Sequence, residues 1–104
     1  MSKIIKKEDF ENLVLNEKDK LVVVDFFANW CGPCRMISPV LEQVCEENDV
    51  ILYKVDTDED GELAQMNGVL ALPTVIMFKN GKEVNKFVGF KPQEEVEAII
   101  KERK

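Results

Sequence analysis

The sequence predicts an α/β fold in which helices cover one mixed sheet of about five strands. Two patterns lead to this prediction. Segments with strand and helix character alternate along most of the 104 residues, which favours parallel strands joined by helical crossovers. Near the C-terminus, Asn80-Gly81 separates two strand-like segments and predicts an antiparallel hairpin. The length fits a single domain over residues 1–104 with four helices.

The first half of the chain contains the strand expected at the sheet centre. An extended stretch at residues 3–5 and apolar residues at helical spacing within residues 8–14 predict a first strand and a first helix. Residues 21–28 (LVVVDFFA) form a nearly continuous β-branched and aromatic run, typical of a parallel strand buried on both faces. A second helix is predicted from Gly32 onward, and Pro39 should kink it rather than end it.

The second half completes the alternation. Residues 50–55 predict the next strand, Asp58 can cap a short helix after it, and Gly68 lies where a left-handed helix end is expected. Pro92, at a first helical position, begins the last helix. The two strands of the hairpin are residues 74–78 and 84–88.

Composition and charge indicate which partners and which compartment to expect. With 14 basic and 20 acidic residues, the formal net charge of −6 opposes binding to nucleic acid and to anionic membranes, so proteins are the expected partners. No apolar run approaches the roughly 18–20 residues of a membrane span, and no apolar signal-peptide stretch follows the N-terminus. The odd number of three cysteines argues against a secreted disulfide scaffold. We therefore expect a cytoplasmic protein.

Two cysteines separated by two residues stand where the central strand ends and the second helix begins. In Cys31-Gly32-Pro33-Cys34, the thiols can close a small disulfide with little backbone movement, and Pro33 restricts the turn between them. Cys31 lies beside the unpaired N–H groups of the first helical turn, whose partial positive charge favours the thiolate over the thiol. We expect Cys31 to be the exposed nucleophile and Cys34, shielded one turn further on, to be the resolving thiol.

The other interpretation of this motif is half of a zinc site. Such a site normally needs a second pair of Cys or His ligands, but the chain has no His and only one further cysteine, Cys45. Cys45 falls on the apolar side of the second helix, where we expect an inert core residue. The absence of His also excludes imidazole catalysis and His-bound metals. Redox chemistry at Cys31 and Cys34 is therefore favoured.

Asp25 lies inside the predicted buried strand, six residues before Cys31. Burial should raise the pKa of this carboxyl, which makes it a candidate proton acceptor for Cys34. The alternative is an Asp that reaches solvent at the strand end or satisfies backbone donors. Lys54, on an inner strand, either pairs with Asp25 or is a surface lysine whose stem lies along the protein.

Pro73 stands just before a predicted strand, where a proline is a poor choice for a central ladder. A cis Leu72–Pro73 bond is one explanation. Because only about 5–6% of X–Pro bonds are cis, the residues by themselves favour a trans proline at the strand entry.

These motifs together resemble the thioredoxin family over essentially the whole chain. The segments that carry the resemblance are residues 27–34 (FANWCGPC), Asp25, Pro39, Leu72-Pro73-Thr74, residues 78–81 (FKNG) and Val88-Gly89. The resemblance implies the thioredoxin fold, a cis Pro73 facing Cys31, and backbone groups of Leu72 that pair with an extended substrate. It also implies that Gly32 and Pro33 tune the redox pair. The docking surface that it implies consists of Trp30, Val69, Leu72, Pro73, Val88 and Gly89.

The resemblance further implies a general protein-disulfide reductase with no bound cofactor. Cys31 and Cys34 would be returned to the dithiol by a thioredoxin reductase that is flavin-dependent and draws on NADPH. Implied substrates are disulfide-containing proteins such as ribonucleotide reductase, peroxiredoxin and methionine sulfoxide reductase, and we expect a monomer.

Two alternatives stay open. One is a disulfide isomerase or oxidase, against which the lack of His between Cys31 and Cys34 argues, since a nearby cation would further stabilise the thiolate. The other is a non-catalytic binding module on the same fold, which two intact redox cysteines make secondary.

Overall fold

The computed structural model describes residues 3–104, which form one five-stranded sheet in the order β1-β3-β2-β4-β5. The elements in chain order are β1 (Lys3–Ile4), α1 (Lys7–Phe10) with a π-helical continuation (Glu11–Leu15), β2 (Val22–Phe27), α2 (Gly32–Glu47), β3 (Ile51–Asp56), α3 (Gly61–Met66), β4 (Thr74–Lys79), β5 (Lys82–Val88) and α4 (Gln93–Arg103). The predicted α/β class and element order are confirmed. None of the helices within residues 3–104 has the length and apolar character needed to cross a bilayer.

Strand β2 lies at the centre of the sheet, as its apolar run predicts. It pairs in parallel with β3 and antiparallel with β4. Because side chains alternate between the faces of a strand, β2 contributes to two separate cores. Val23 packs with apolar residues of α2 and α4 on one face, whereas Val24 and Phe26 pack with α1 and α3 on the other. Residues 22–26 of β2 are therefore all buried, including the one that is not apolar.

Two helix starts differ from their predicted positions. Asp60, not Asp58, caps α3, and its carboxylate accepts a hydrogen bond from the Leu63 N–H at 3.2 Å. Asp58 is unsuited to this role because it lies within the turn after β3, where its own N–H donates to Asp56. Pro92 has an extended backbone and precedes the first residue of α4, so it is the cap rather than the first helical residue. Helix α2 runs through Pro39 without ending.

The hairpin between β4 and β5 turns at Asn80 and Gly81, whose φ angles are 54° and 79°. Positive φ at both positions is the requirement of a type I′ turn, which agrees with the Asn-Gly prediction. Gly81 also lies against the end of the first helical segment. A Cβ on this residue would come within 2.5 Å of the backbone oxygen of Leu15. Two constraints therefore demand glycine here.

We predict that Gly81→Ala destabilises the protein by at least about 1–2 kcal/mol, because alanine is strained at positive φ and its methyl would displace Leu15. Gly61→Ala is the matched control, since Gly61 begins α3 with open space around it and an ordinary φ. Urea unfolding followed by far-UV circular dichroism gives both free energies. Equal values for the two variants would contradict the constraint at the turn.

Candidate active site

The two cysteines of the Cys-Gly-Pro-Cys segment occupy the N-terminus of α2. Cys31 is the cap residue and is disulfide-bonded to Cys34, with the Cα atoms 5.3 Å apart. The N–H of Cys34 donates a hydrogen bond to the Cys31 sulfur at 3.2 Å. Pro33 lies in the first helical turn, where its missing N–H costs no helical hydrogen bond. The helix thus directs a backbone donor and its positive end at Cys31.

Solvent exposure does not separate the two cysteines. The expectation of an exposed Cys31 is wrong for this disulfide form, since Cys31 is 5% exposed and Cys34 is 3% exposed. Both belong to a small buried cluster with Ala28, against which the partly buried Phe27 and Leu72 pack. What distinguishes Cys31 is its place at the helix cap, where its sulfur accepts a backbone hydrogen bond.

Asp25 is buried in the middle of β2 on the face toward α2. Val23 on this face belongs to the core beneath α2, and Phe27 packs with the disulfide, so Asp25 lies between that core and the cysteines. The residue is 1% exposed, and neither carboxyl oxygen has a hydrogen-bond partner among residues 3–104. These facts rule out an Asp that reaches solvent or satisfies backbone donors.

Burial raises the pKa of Asp25 from 3.8 to about 7, because the charged form loses its hydration. Two nearby charges modify this effect in opposite directions. The Lys54 ammonium lowers the pKa of Asp25, whereas the Glu42 carboxylate raises it. The carboxyl can therefore take up and release a proton near neutral pH.

Lys54 does not pair with Asp25, although the two residues are direct neighbours in the register of β2 and β3. Its ammonium instead donates to the Ser38 hydroxyl and forms a 3.2 Å ion pair with Glu42, both on α2. The side chain of Lys54 is 17% exposed, so its stem is largely covered while its ammonium is held at Glu42, whose side chain is 38% exposed. The pairing of Lys54 with Asp25 fails because α2 supplies a competing carboxylate closer to solvent.

Sequence reasoning missed Ser38 and Glu42. The signal that points to them is spacing: Cys34, Ser38 and Glu42 are four residues apart from one to the next. Residues at this spacing share one face of a helix, so a polar stripe leads along α2 from the second cysteine.

The loop before β4 closes the other side of the disulfide. The Leu72–Pro73 peptide bond is cis, as the resemblance implies. The trans proline that the residues by themselves favour is therefore wrong. Leu72 packs against the cluster that holds the two cysteines, and Pro73 is buried. The Gly89 N–H donates to the Pro73 carbonyl at 2.9 Å, which ties the end of β5 to this loop.

Comparison with known proteins decides the family. The thioredoxin family model matches residues 1–102. The chain belongs to the thioredoxin family. It is 54% identical over 83 residues to thioredoxin-1 of Saccharomyces cerevisiae, covering 79% of this chain and 81% of that protein. It is 41% identical over 101 residues to the thioredoxin of Chlamydia caviae, covering 96% of each. The X-ray structure of Fasciola hepatica thioredoxin is similar at a TM-score of 0.89 and 40% identity, with 100% of both chains covered.

Family membership gives the disulfide pair its chemistry. As a thioredoxin, the chain is a protein-disulfide oxidoreductase whose Cys31-Gly32-Pro33-Cys34 segment is the redox-active site. Members of the family act on protein disulfides and are served by a reductase. Cys45, the remaining cysteine, is unpaired and lies in the core beneath α2. Burial, and secondarily the Asp25 charge, raises its pKa to about 12, which keeps the thiol protonated.

Apolar and half-buried side chains surround the redox-active site of this thioredoxin. Trp30 is 71% exposed, and its indole N–H donates to Asp58 at 2.9 Å. Val88 is also exposed, while Val69 is half-buried against the core that contains α3. Leu70, at 98% exposure, extends this apolar region although the sequence analysis did not select it.

The raised pKa of Asp25 predicts how stability depends on pH. Because the native state binds this proton more tightly than the unfolded state, the free energy of unfolding falls as pH rises from about 4 to about 7. A pKa change from 3.8 to about 7 corresponds to a loss of about 4 kcal/mol in the free energy of unfolding between low pH and pH values above 7. Asp25→Asn should abolish that part of the pH dependence and match or exceed the parent in stability above pH 7.

The measurement is urea unfolding of the oxidised protein between pH 4 and pH 9, a form in which Cys31 and Cys34 do not titrate. The control is Asp19→Asn, an exposed residue whose loss should leave the pH dependence unchanged. Parallel pH profiles for the parent and Asp25→Asn would show that Asp25 titrates normally.

Proposed function

We propose that this chain is a general reductant of protein disulfides in which Cys31 attacks, Cys34 resolves and Asp25 accepts the proton of Cys34. The observation that carries this proposal is the hydrogen bond from the Cys34 N–H to the Cys31 sulfur at the start of α2. A backbone donor and a helix N-terminus both favour negative charge on sulfur, so Cys31 is the better thiolate in the reduced protein.

The proposed cycle moves two electrons from the dithiol to the substrate. The Cys31 thiolate attacks one sulfur of the substrate disulfide, forms a mixed disulfide and releases the other substrate sulfur as a thiolate. Cys34 then loses its proton and attacks the Cys31 sulfur. The bond between Cys31 and Cys34 forms, and the second substrate thiolate leaves. A reductase returns two electrons and two protons to the pair.

Asp25 suits the proton step because its pKa of about 7 lies near the operating pH. It lies on the face of β2 toward α2, beneath the cysteines, and no protein group occupies its carboxyl oxygens among the described residues. A water molecule between Asp25 and Cys34 would carry the proton. The cost of burying an unpaired carboxyl argues for a use other than stability.

The docking surface is proposed to hold an extended segment on either side of the substrate disulfide. Leu72 supports this because it already packs against the cluster that contains the two cysteines. The edge of this surface would consist of the apolar side chains of Trp30 and Val88 and the backbone of Gly89. Val69 would support Leu72, since both pack against the core that contains α3. Gly32 and Pro33 would set the redox balance through the geometry of the turn.

The cellular setting is proposed from the family and from composition. We infer a single thioredoxin domain, acting as a cytoplasmic monomer and re-reduced by a flavin-dependent, NADPH-supplied thioredoxin reductase. Substrates would include ribonucleotide reductase, peroxiredoxin and methionine sulfoxide reductase. The match over residues 1–102 supports the single domain, and the odd number of three cysteines supports a reducing compartment.

Insulin reduction in the presence of dithiothreitol tests the proposal directly. The parent protein should precipitate insulin chains, and Cys31→Ser should lose this activity, whereas a binding module would show no activity at all. Equilibration with glutathione separates a reductase from an oxidase or isomerase. A redox pair that is mostly dithiol in a glutathione buffer of oxidising poise would contradict the reductase assignment.

We predict that Cys34→Ser accumulates mixed disulfides with substrate proteins, because Cys31 can still attack but nothing expels the product. Non-reducing electrophoresis of the variant incubated with oxidised protein should show adducts that dithiothreitol removes. Cys31→Ser is the matched control and should form none. Adducts on Cys31→Ser instead of Cys34→Ser would reverse the assigned order of attack.

We also predict that Asp25→Asn slows the resolving step at least about tenfold at pH 7, because Cys34 loses its proton acceptor. The difference should shrink above about pH 8.5, where thiols ionise without help. Single-turnover stopped flow with a fluorogenic disulfide peptide resolves attack from resolution. The attack phase serves as the internal control and should keep the parent rate. Resolution at the parent rate at pH 7 would remove Asp25 from the mechanism.

A further inference from the structure

Lys54 is held by two side chains of α2 rather than by the carboxyl group beside it in the sheet. Its ammonium donates to the Ser38 hydroxyl and ion-pairs with Glu42 at 3.2 Å. Asp25 is the direct neighbour of Lys54 in the strand register, yet its oxygens have no hydrogen-bond partner within residues 3–104. The cation therefore lies between two carboxyl groups and is engaged by the one that is closer to solvent.

The groups that face Asp25 explain why the position of the Lys54 ammonium matters. Helix α2 presents Glu42 and Cys45, both of which interact electrostatically with Asp25, and β3 presents Lys54. The register neighbour on β4 is the apolar Val75. The cysteines of the redox pair lie beyond, at the start of α2. Lys54 is thus the cation that can neutralise an ionised Asp25, and its position decides whether it does.

We propose that Glu42, together with Ser38, holds the Lys54 ammonium away from Asp25, which makes Glu42 a positioning residue for the carboxyl that serves Cys34. The functional part of this inference rests on the proposed function, whereas the electrostatic part concerns Asp25 alone. Lysine has a flexible four-carbon stem, so without Glu42 the ammonium would be able to turn to Asp25, its direct register neighbour and the carboxyl whose pKa it already lowers.

A cation that contacts a carboxyl within about 4–6 Å lowers the carboxyl pKa by about 1–3. With Glu42 in place, burial dominates and the pKa of Asp25 stays about 7. With Lys54 on Asp25 instead, the carboxyl would be ionised throughout the neutral range and would be a poor acceptor for a thiol proton. Glu42 thereby keeps the carboxyl in the range in which it can exchange a proton.

The test follows the Asp25 carboxyl directly by carbon-13 NMR titration of the full-length oxidised protein labelled on aspartate. Asp25→Asn identifies the resonance by removing it. Glu42→Gln should lower the titration midpoint of Asp25 by about one pH unit or more. Glu46→Gln is the matched control, since Glu46 is one turn further along α2 and exposed, and it should leave the midpoint at the parent value. An unchanged midpoint in Glu42→Gln would overturn the proposal.

A second pair of variants shows whether Glu42 acts through Lys54. In a Lys54→Met background, Glu42→Gln should shift the midpoint by less than half as much, because only the direct repulsion between the carboxylates is left. A shift of equal size in both backgrounds would overturn the proposal. Ser38→Ala removes no charge, so it should lower the midpoint only by releasing Lys54. It is the variant to use if Glu42→Gln does not fold.

The readout keeps this inference separate from the proposed function. The NMR midpoint is measured without substrate and does not depend on what Asp25 does in turnover. If Asp25 is the proton acceptor, the pH profile of the resolving step in Glu42→Gln should move down with the midpoint. A midpoint that moves while the profile stays fixed would contradict the catalytic role of Asp25 and leave the positioning of Lys54 intact.

Discussion

The constraint on which the rest of the structure depends is the burial of strand β2 on both faces. A strand with β3 on one side, β4 on the other and helices above and below has no face toward solvent, so residues 22–26 are all buried. Asp25 is buried for this reason and not because a partner draws it in. The same strand delivers Cys31 to the start of α2, so one element positions both the carboxyl and the redox pair.

The helix distinguishes two cysteines that are chemically alike and almost equally covered. Cys31 caps α2 and receives the Cys34 N–H, while Cys34 lies within the first turn. This difference comes from backbone groups, which no side-chain substitution removes. The Asp25 carboxyl, buried on the same face of β2, is the group that we propose for the other thiol. The site therefore combines a helix N-terminus at Cys31 with a buried carboxyl whose pKa is about 7.

Local patterns predicted what local interactions decide. The apolar run of β2, the Asn80-Gly81 turn and the Cys-Gly-Pro-Cys segment at a helix start are each set by neighbours in sequence, and each was found. Features decided by competition between hydrogen-bond partners or by contacts between distant segments were missed. Asp60 rather than Asp58 caps α3, because Asp58 belongs to the preceding turn. Lys54 contacts Glu42 rather than Asp25, because α2 packs over β3. Likewise, Leu72, which is remote in sequence, packs against the cluster that contains Cys31.

The two edges of the sheet differ from its centre in a way that bears on self-association. Within residues 3–104, strand β1 has two residues, and β5 combines exposed Lys82, Glu83 and Lys86 with a register shift opposite Met77 and Phe78. Short strands, charges and bulges are the devices that stop one sheet from adding to another. Apolar side chains that are exposed near the disulfide, such as Trp30 and Val88, are an aggregation hazard of another kind. Because both edges of the sheet are protected, the addition of strands from a second molecule is disfavoured, and self-association would have to occur through side-chain contacts instead.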